Sequence, residues 1–363
     1  MLDLKNFAVR RLLLLGALFL LGGCQAEIIE DNDYQVEVTP LSTEYLSMID
    51  ETTIGRMFGV SPYGWRGSNP TWDPDYPELY EMFYGRIPMA SANDVLEATF
   101  ANLSVETFDY VFMLFLNYEP IDFYVLGEEG WVRNFHFSLE GGYEINIPFR
   151  LDLNPSSAHT YKLTAGLFAN PNEHAKDENS DFWLLASANV VNLDLIFGNG
   201  ADINLSQSYN TVPLERSESV GWLPLHFSQD IHSLDTIWET EWDWENLPTI
   251  QAIVGEKIEF NFIASVFPEH EAIENYLILA LLDWEPVELS GNPFLFVEIE
   301  ENDDYPEGFI SDFGDFTIQV PSEPGYFELV GIIIPNANHA NTPSFMSSGP
   351  LRTSFRMTVK VTE

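Results

Sequence analysis

Short runs of Asp and Glu in this sequence contain side chains that could bind a metal ion. The run DENSD contains Asp177 and Asp181, and the run EENDD contains Asp303 and Asp304. Carboxylate oxygens are the ligands that Ca²⁺ prefers, so both runs are candidate calcium sites. Solvated acidic loops are the alternative, because a chain with 57 Asp and Glu residues forms such runs without any metal. Apart from this calcium hypothesis, the sequence predicts no cofactor.

Two histidines follow turns of similar composition. His174 ends the run NPNEH and His339 is the last residue of PNANH, and each run comes directly after a predicted strand. Loops at the ends of β-sandwiches often carry binding residues, so both histidines are candidate ligand-binding residues. The alternative is that each imidazole bonds to the backbone of its own loop, as neighbouring Asn side chains do.

Two of the three tryptophans in the run IWETEWDWEN are close together. Trp242 and Trp244 are two residues apart, so in a strand they would share one face. Flat aromatic rings can pack on the apolar faces of neutral sugars, and both residues are therefore candidate ligand-binding residues. Packing under an irregular loop is the alternative.

No catalytic motif accompanies these residues. The sequence lacks G-x-S-x-G, H-E-x-x-H, a phosphate-binding glycine loop and an EF-hand loop. A glycosidase needs only two carboxylates at a suitable separation, and the abundance of acids singles out no pair. We therefore predict no catalytic residue and a protein that is not an enzyme.

The N-terminus has the pattern of an export signal. Lys5, Arg10 and Arg11 precede an apolar run over residues 12–21, and the only cysteine of the chain, Cys24, follows it. The apolar run is too short for a good membrane span, which needs ~20 apolar residues.

The residues LGGC that end at Cys24 resemble the lipobox of bacterial lipoproteins. The resemblance implies that residues 1–23 are a signal peptide and that Cys24 carries the lipid. It also implies that the protein is held at the extracytoplasmic face of a bacterial cell membrane, because several acyl chains on one residue make a durable anchor. The alternative is an ordinary secretory signal with an incidental cysteine.

The chain is strongly acidic, with 57 Asp and Glu residues against 15 Lys and Arg and a formal net charge of -42. A surface of this charge repels nucleic-acid phosphates, so the composition excludes nucleic acid as a partner. A protein or a neutral glycan remains as the predicted ligand, besides the membrane reached through Cys24.

The rest of the sequence contains two series of predicted strands. Short runs rich in aromatic and β-branched residues, separated by turn residues, start near Val95 and again near Ile250. No long amphipathic helix interrupts either series. The fold class is therefore predicted to be all-β.

The two series also repeat each other. LNYEPI (116–121) matches LDWEPV (282–287) at an offset of 166 residues, and Tyr161 matches Tyr326 at an offset of 165. A proline turn followed by such a tyrosine resembles the tyrosine corner of immunoglobulin-like sandwiches. The resemblance implies two tandem Ig-like β-sandwich domains, with a pair of jelly rolls as the alternative.

These patterns predict a lipid-anchored surface protein with a non-enzymatic binding or spacer role. The alternative is a carbohydrate-active enzyme or a carbohydrate-binding accessory module. We expect the two sandwiches to fold as separate units. The predicted segments are a signal peptide (1–23), a lipidated tether rich in aromatic residues, Pro and Gly (24–93), a first sandwich (94–204), a linker (205–247) and a second sandwich (248–363).

Overall fold

The computed structural model consists almost entirely of β-strands, as the alternating aromatic and β-branched runs predict. It describes residues 34–46, 56–62, 86–153, 159–174, 188–198, 215–217, 225–229, 249–266, 275–298, 310–335, 337, 353–354 and 356–363. One short helix, α1 (Thr43–Leu46), lies among them. No helix within these ranges is long and apolar enough to cross a membrane.

The strands fall into two consecutive sets. The first set is β1 (Glu37–Pro40), β2 (Arg56–Pro62), β3 (Arg86–Met89), β4 (Leu96–Asn102), β5 (Phe108–Leu116), β6 (Glu119–Pro120), β7 (Phe123–Val125), β8 (Trp131–Val132), β9 (Asn134–Leu139), β10 (Tyr143–Leu151), β11 (His159–Ala169) and β12 (Ala188–Phe197). The second set is β13 (Glu215–Ser217), β14 (Leu225–Ser228), β15 (Ile250–Ile253), β16 (Lys257–Val266), β17 (Asn275–Leu282), β18 (Glu285–Pro286), β19 (Leu295–Glu298), β20 (Ile310–Gln319), β21 (Gly325–Pro335) and β22 (Met357–Thr362).

Each set forms a β-sandwich of two sheets, which we call the first and the second unit. In the first unit, sheet A has the order β2-β4-β10-β7-β8 with β1 on β10, and sheet B has the order β3-β12-β11-β5-β6 with β9 on β5. In the second unit, sheet C has the order β13-β20-β16-β14, and sheet D has the order β15-β22-β21-β17-β18 with β19 on β17. The prediction of an all-β chain with tandem Ig-like sandwiches is confirmed.

Three apolar cores run through the stack of four sheets. One lies between sheets A and B, one between sheets C and D, and a third between sheets B and D. The alternation of side chains along β5 explains this arrangement, because Tyr110 and Phe112 enter the core of the first unit while Val111 and Met113 enter the third core. Strand β17 is buried at every residue for the same reason.

We call the third core the interunit cluster. It joins the two units face to face and contains aliphatic and aromatic side chains from both. Its members are Val111, Met113, Phe115, Tyr118, Phe168, Val190, Leu277, Leu279, Leu281, Trp284, Phe294, Phe296, Val330, Ile332, Ile334 and Ala337.

The strand registers show that one of the residue matches between the two repeats is misaligned. Leu163 pairs with Leu116 and Leu329 pairs with Leu282, so the two units are equivalent at an offset of 166 along β11 and β21. The match of Tyr161 to Tyr326 at 165 is therefore wrong by one residue. A slip of one residue reverses the face of a strand, and Tyr161 accordingly packs on a core whereas Tyr326 is 38% exposed.

Two predicted boundaries are also wrong. The segment 24–93, predicted as a tether, supplies β1, β2 and β3 to the first unit, and the segment 205–247, predicted as a linker, supplies β13 and β14 to the second. Four of these strands occupy equivalent places in the two units. Strand β1 pairs with β10 as β13 pairs with β20, and β2 pairs with β4 as β14 pairs with β16. The strands of the linker have only three and four residues, too few for an alternating pattern.

Strand β14 is integrated into the core of the second unit. Leu225 and Phe227 belong to that core, and they lie against Gly331 of β21. Burial lowers the pKa of the intervening His226 to about 4, so its imidazole is neutral at neutral pH.

We expect Gly331→Ala to destabilise the protein by about 1–3 kcal/mol, the usual cost of overpacking a core. The added Cβ would lie 2.7 Å from Leu225 Cδ2 and would also meet the ring of Phe227. Urea denaturation measures the effect, and Gly59→Ala is the control because nothing lies within 4 Å of a Cβ there. The double variant Gly331→Ala/Phe227→Leu should recover part of the loss. Equal stability of the two single variants would contradict the packing of β14 on β21.

Candidate functional site

The structure describes one of the residues predicted to form a functional site, His174. The other predicted residues lie outside the described ranges, and their roles stay predictions. They are Cys24, Asp177, Asp181, Trp242, Trp244, Asp303, Asp304 and His339. In the described part of the chain, no three His, Cys, Asp or Glu residues gather where they could hold a metal ion.

The candidate site that the structure reveals is built on two equivalent hairpin turns. Asn117 and Tyr118 join β5 to β6, and Asp283 and Trp284 join β17 to β18. All four residues have positive φ, at 51° and 70° in the first turn and 54° and 68° in the second. Two consecutive residues with positive φ are typical of a type I′ hairpin turn, which favours glycine at its second position. Here that position holds a large aromatic residue, and we call these two turns the aromatic turns.

The first residue of each aromatic turn fastens it to the neighbouring strand. The backbone N–H of Asn117 donates to the backbone carbonyl of Lys162 (2.7 Å), and Asn117 Oδ1 accepts from the backbone N–H of Lys162 (3.0 Å). Asp283 makes the same pair of bonds with Glu328, at 2.9 and 3.3 Å. Asn and Asp suit this place because they tolerate positive φ and their side chains bond to nearby backbone.

The second residue of each aromatic turn reaches into the other unit. The Tyr118 hydroxyl donates to the carbonyl of Ala337 (2.5 Å), and the Trp284 indole N–H donates to the carbonyl of Pro171 (3.1 Å). Both pairs are equivalent at the offset of 166, so each unit inserts an aromatic ring from the equivalent turn into the equivalent loop of its neighbour. The two rings are buried.

A buried arginine completes the contact around Trp284. The Arg356 guanidinium lies 4.8 Å from the centre of the Trp284 ring and donates to the carbonyls of Asn170 (2.9 Å) and Ala169. Phe168 also packs on Trp284, with ring centres 5.1 Å apart. Because Arg356 belongs to the second unit and its acceptors belong to the first, these bonds cross the junction between the units.

Glu328 is the second charged residue buried at the junction, with a side chain that is 0% exposed. Its Oε1 accepts a hydrogen bond from the Thr358 hydroxyl (2.6 Å) and lies 3.1 Å from His174 Nδ1. Burial raises the pKa of the Glu328 carboxyl, and the bond from Thr358 together with the nearby charges of Arg356 and His174 opposes that rise. His174 therefore has a partner in the other unit.

The side chains of this arrangement bind the two units to each other. A carboxylate beside an imidazole is an acid and base pair by residue type. The Glu328 oxygens are closed off from solvent, however, so a substrate does not reach them in this conformation. The aromatic turns, Glu328, His174 and Arg356 instead hold the two sandwiches in one orientation.

Sequence reasoning identified the segments of the aromatic turns but not their role. The repeated runs LNYEPI and LDWEPV carry an aromatic residue at the same place in both copies, and that repetition was the available signal. Glu328 and Arg356 gave no signal, because a single charge in an acidic chain has no pattern of its own.

We expect Trp284→Ala to lower the free energy of unfolding by about 3–5 kcal/mol, the usual cost of truncating a buried large aromatic residue. The matched control is Trp131→Ala, because Trp131 is 51% exposed and a surface change usually stays within about 0.5 kcal/mol. Tyr118→Phe, which removes only the hydroxyl bonded to Ala337, should cost about 1 kcal/mol. Denaturant unfolding measures all three variants. Similar losses for Trp284→Ala and Trp131→Ala would show that the aromatic turns do not join the units.

We also expect a pH-dependent difference between the wild type and Glu328→Gln. The folded state raises the pKa of Glu328 above its usual 4.5, so the folded protein takes up this proton before the unfolded chain does. The wild type should therefore gain stability relative to Glu328→Gln as the pH falls from neutral towards 4.5. Glu323→Gln, at an exposed carboxyl, is the matched control. A stability difference that is constant across this pH range would contradict the raised pKa.

Comparisons with known proteins identify no relative of known function. No protein-family model matches the chain, and no curated protein sequence matches it. Similar solved structures include the Escherichia coli chaperone DraB (11% identity, 77% of this chain, 94% of that chain, TM-score 0.22) and red sea bream transglutaminase (10%, 76%, 30%, 0.20). The C-terminal domain of the Streptococcus agalactiae antigen I/II polypeptide BspA is another (9%, 74%, 93%, 0.22). The chain spans about 30% of the length of the transglutaminase, and none of these similarities assigns it a function.

Proposed function

We propose that this protein is a lipoprotein, anchored through Cys24 to the extracytoplasmic face of a bacterial cell membrane, with a non-enzymatic binding or spacer role. The observation that carries the spacer role is the interunit cluster, supported by the buried bonds of Tyr118, Trp284 and Arg356. Two sandwiches joined through a continuous apolar core keep a fixed orientation, whereas sandwiches joined by a flexible linker do not.

The position of the anchor relative to the folded region agrees with this role. Tyr34, the first described residue, is buried, and the guanidinium of Arg150 lies 5.9 Å from its ring centre. Residues 25–33 separate Tyr34 from Cys24, and a fully extended segment of that length spans at most about 30 Å. A lipid on Cys24 would therefore hold the first unit close to the membrane.

The charge of the chain is consistent with a partner that is neutral or cationic. With a formal net charge of -42, the protein repels polyanions and other copies of itself. The binding role proposed here therefore concerns a protein or a neutral glycan and excludes nucleic acid.

An accessory carbohydrate-binding module is the second candidate function, and one exposed aromatic residue favours it. Trp131 lies on the surface of sheet A beside a tyrosine. An enzymatic role has no comparable support among the described residues, since the buried acid at the junction is closed to solvent.

The lipoprotein proposal predicts that Cys24→Ser abolishes lipid attachment, because Cys24 is the only thiol of the chain. Metabolic labelling with a fatty acid should mark the wild type but not the variant. In detergent phase partitioning, the wild type should enter the detergent phase and Cys24→Ser the aqueous phase. Ser47→Ala, a change elsewhere in the N-terminal region, is the control. Labelling of Cys24→Ser, or its retention in the membrane fraction, would overturn the anchor.

A further inference from the structure

The hairpin of β7 and β8 presents an unusual group of side chains on the outer face of sheet A. Phe123 pairs with Val132 and Tyr124 pairs with Trp131. Phe123 is buried in the core of the first unit, and Val132 packs against that core. Because side chains alternate along a strand, Tyr124 and Trp131 lie on the opposite face.

The two outward rings form a bent aromatic surface. Their centres are 5.9 Å apart and their planes are inclined by 54°. Trp131 is 51% exposed, although tryptophan is among the residues that gain most from burial. An exposed indole supported from one side by a second ring leaves an apolar surface of about the size of a sugar ring open to solvent.

A pair of opposite charges borders this surface. Arg133 Nε donates to Asp122 Oδ1 at 3.0 Å, and both side chains are about half exposed. Such an exposed ion pair contributes little to stability. It does hold guanidinium donors and carboxylate acceptors next to the rings, where they can bond to neighbouring hydroxyl groups of a ligand.

The charge of the group indicates the class of ligand. Asp122 and Arg133 cancel each other, whereas Glu128 and Glu129 in the turn of the same hairpin and the remaining charge of the protein repel anions. The ligand is therefore not an anion, and the site suits one with an apolar face for Trp131 and Tyr124 and hydroxyl groups at its edge. Neutral saccharides have this combination.

We propose that Asp122, Tyr124, Trp131 and Arg133 form a binding site for a neutral saccharide. This inference rests on the binding role proposed above and names its ligand class. Trp131 provides the main stacking surface, Tyr124 supports it, and the ion pair binds hydroxyl groups. Trp242 and Trp244, the tryptophans that the sequence suggested for this purpose, lie outside the described residues and are not part of this proposal.

The test uses the full chain with Cys24→Ser, so that its outcome does not depend on lipid attachment. The probe is an array of neutral oligosaccharides derived from cellulose, amylose, chitin, mannan and xylan, read in 1 M sodium chloride. At that concentration charge interactions are screened beyond about 3 Å. We expect at least one of these saccharides to bind, and the added substitution Trp131→Ala to weaken that binding about tenfold or more.

Three further variants test Tyr124, the ion pair and an exposed residue outside the site. Tyr124→Ala and the double variant Asp122→Asn/Arg133→Gln should each weaken binding of the same saccharide, because they remove the supporting ring and the charged hydroxyl partners. Ile253→Ala changes an apolar residue that is 56% exposed in the second unit, and it should leave binding unchanged. Thermal unfolding verifies that every variant is folded.

Other outcomes would overturn the saccharide site. They are the absence of binding to every saccharide of the array, equal binding by Trp131→Ala, and binding that is seen only at low salt, which would show that charge rather than stacking on Trp131 holds the saccharide. A vesicle assay with phosphatidylcholine tests one more occupant. If the vesicles capture the Cys24→Ser chain, if Trp131→Ala abolishes that capture, and if no saccharide binds, then the two rings contact the membrane surface instead. Failure of the saccharide test leaves the lipid anchor intact, since fatty-acid labelling reports on that separately.

Discussion

Burial of both faces of sheets B and D is the constraint on which the rest of this structure depends. A sheet at the surface of a sandwich needs apolar residues on one face only, whereas these two sheets need them on both. Strand β17 meets the requirement with eight consecutive buried residues, and β5 meets it by sending Phe112 to one core and Met113 to the other. The face-to-face packing of the two units follows from this burial.

The junction also sustains conformations and charges that are unfavourable by themselves. Positive φ at a large side chain such as Tyr118 or Trp284 costs on the order of 1–3 kcal/mol, and burial of an ionised Glu328 adds a desolvation cost. Both costs are offset locally. The rings gain buried contact and a hydrogen bond in the opposite unit, and Glu328 gains Thr358, His174 and the nearby charge of Arg356.

The sequence predicted those features that many residues share, and it did not predict those that depend on one or two. Long alternating runs such as β11 identified the all-β fold, and the repeat of LNYEPI as LDWEPV identified two equivalent units. The strands β13 and β14 were missed because three or four residues contain no period, and their pairing with β20 and β16 is set by distant partners. The register of Tyr326 was missed because the true equivalents differ in residue type: Tyr161 corresponds to Phe327, and Thr160 corresponds to Tyr326. Glu328 and Arg356 become neighbours only through tertiary packing, which no local pattern records.

The matching insertions of Tyr118 and Trp284 give the junction the form of an isologous homodimer interface, in which each copy offers its partner the same surface. In a homodimer any substitution occurs twice, so a charge near the axis faces a second copy of itself. Here both copies belong to one chain, and equivalent positions hold Lys162 in one and Glu328 in the other. Covalent fusion therefore allows the two halves to diverge in charge, as the separate pairing of Lys162 with Asp194 illustrates. It also makes the association of the halves independent of protein concentration.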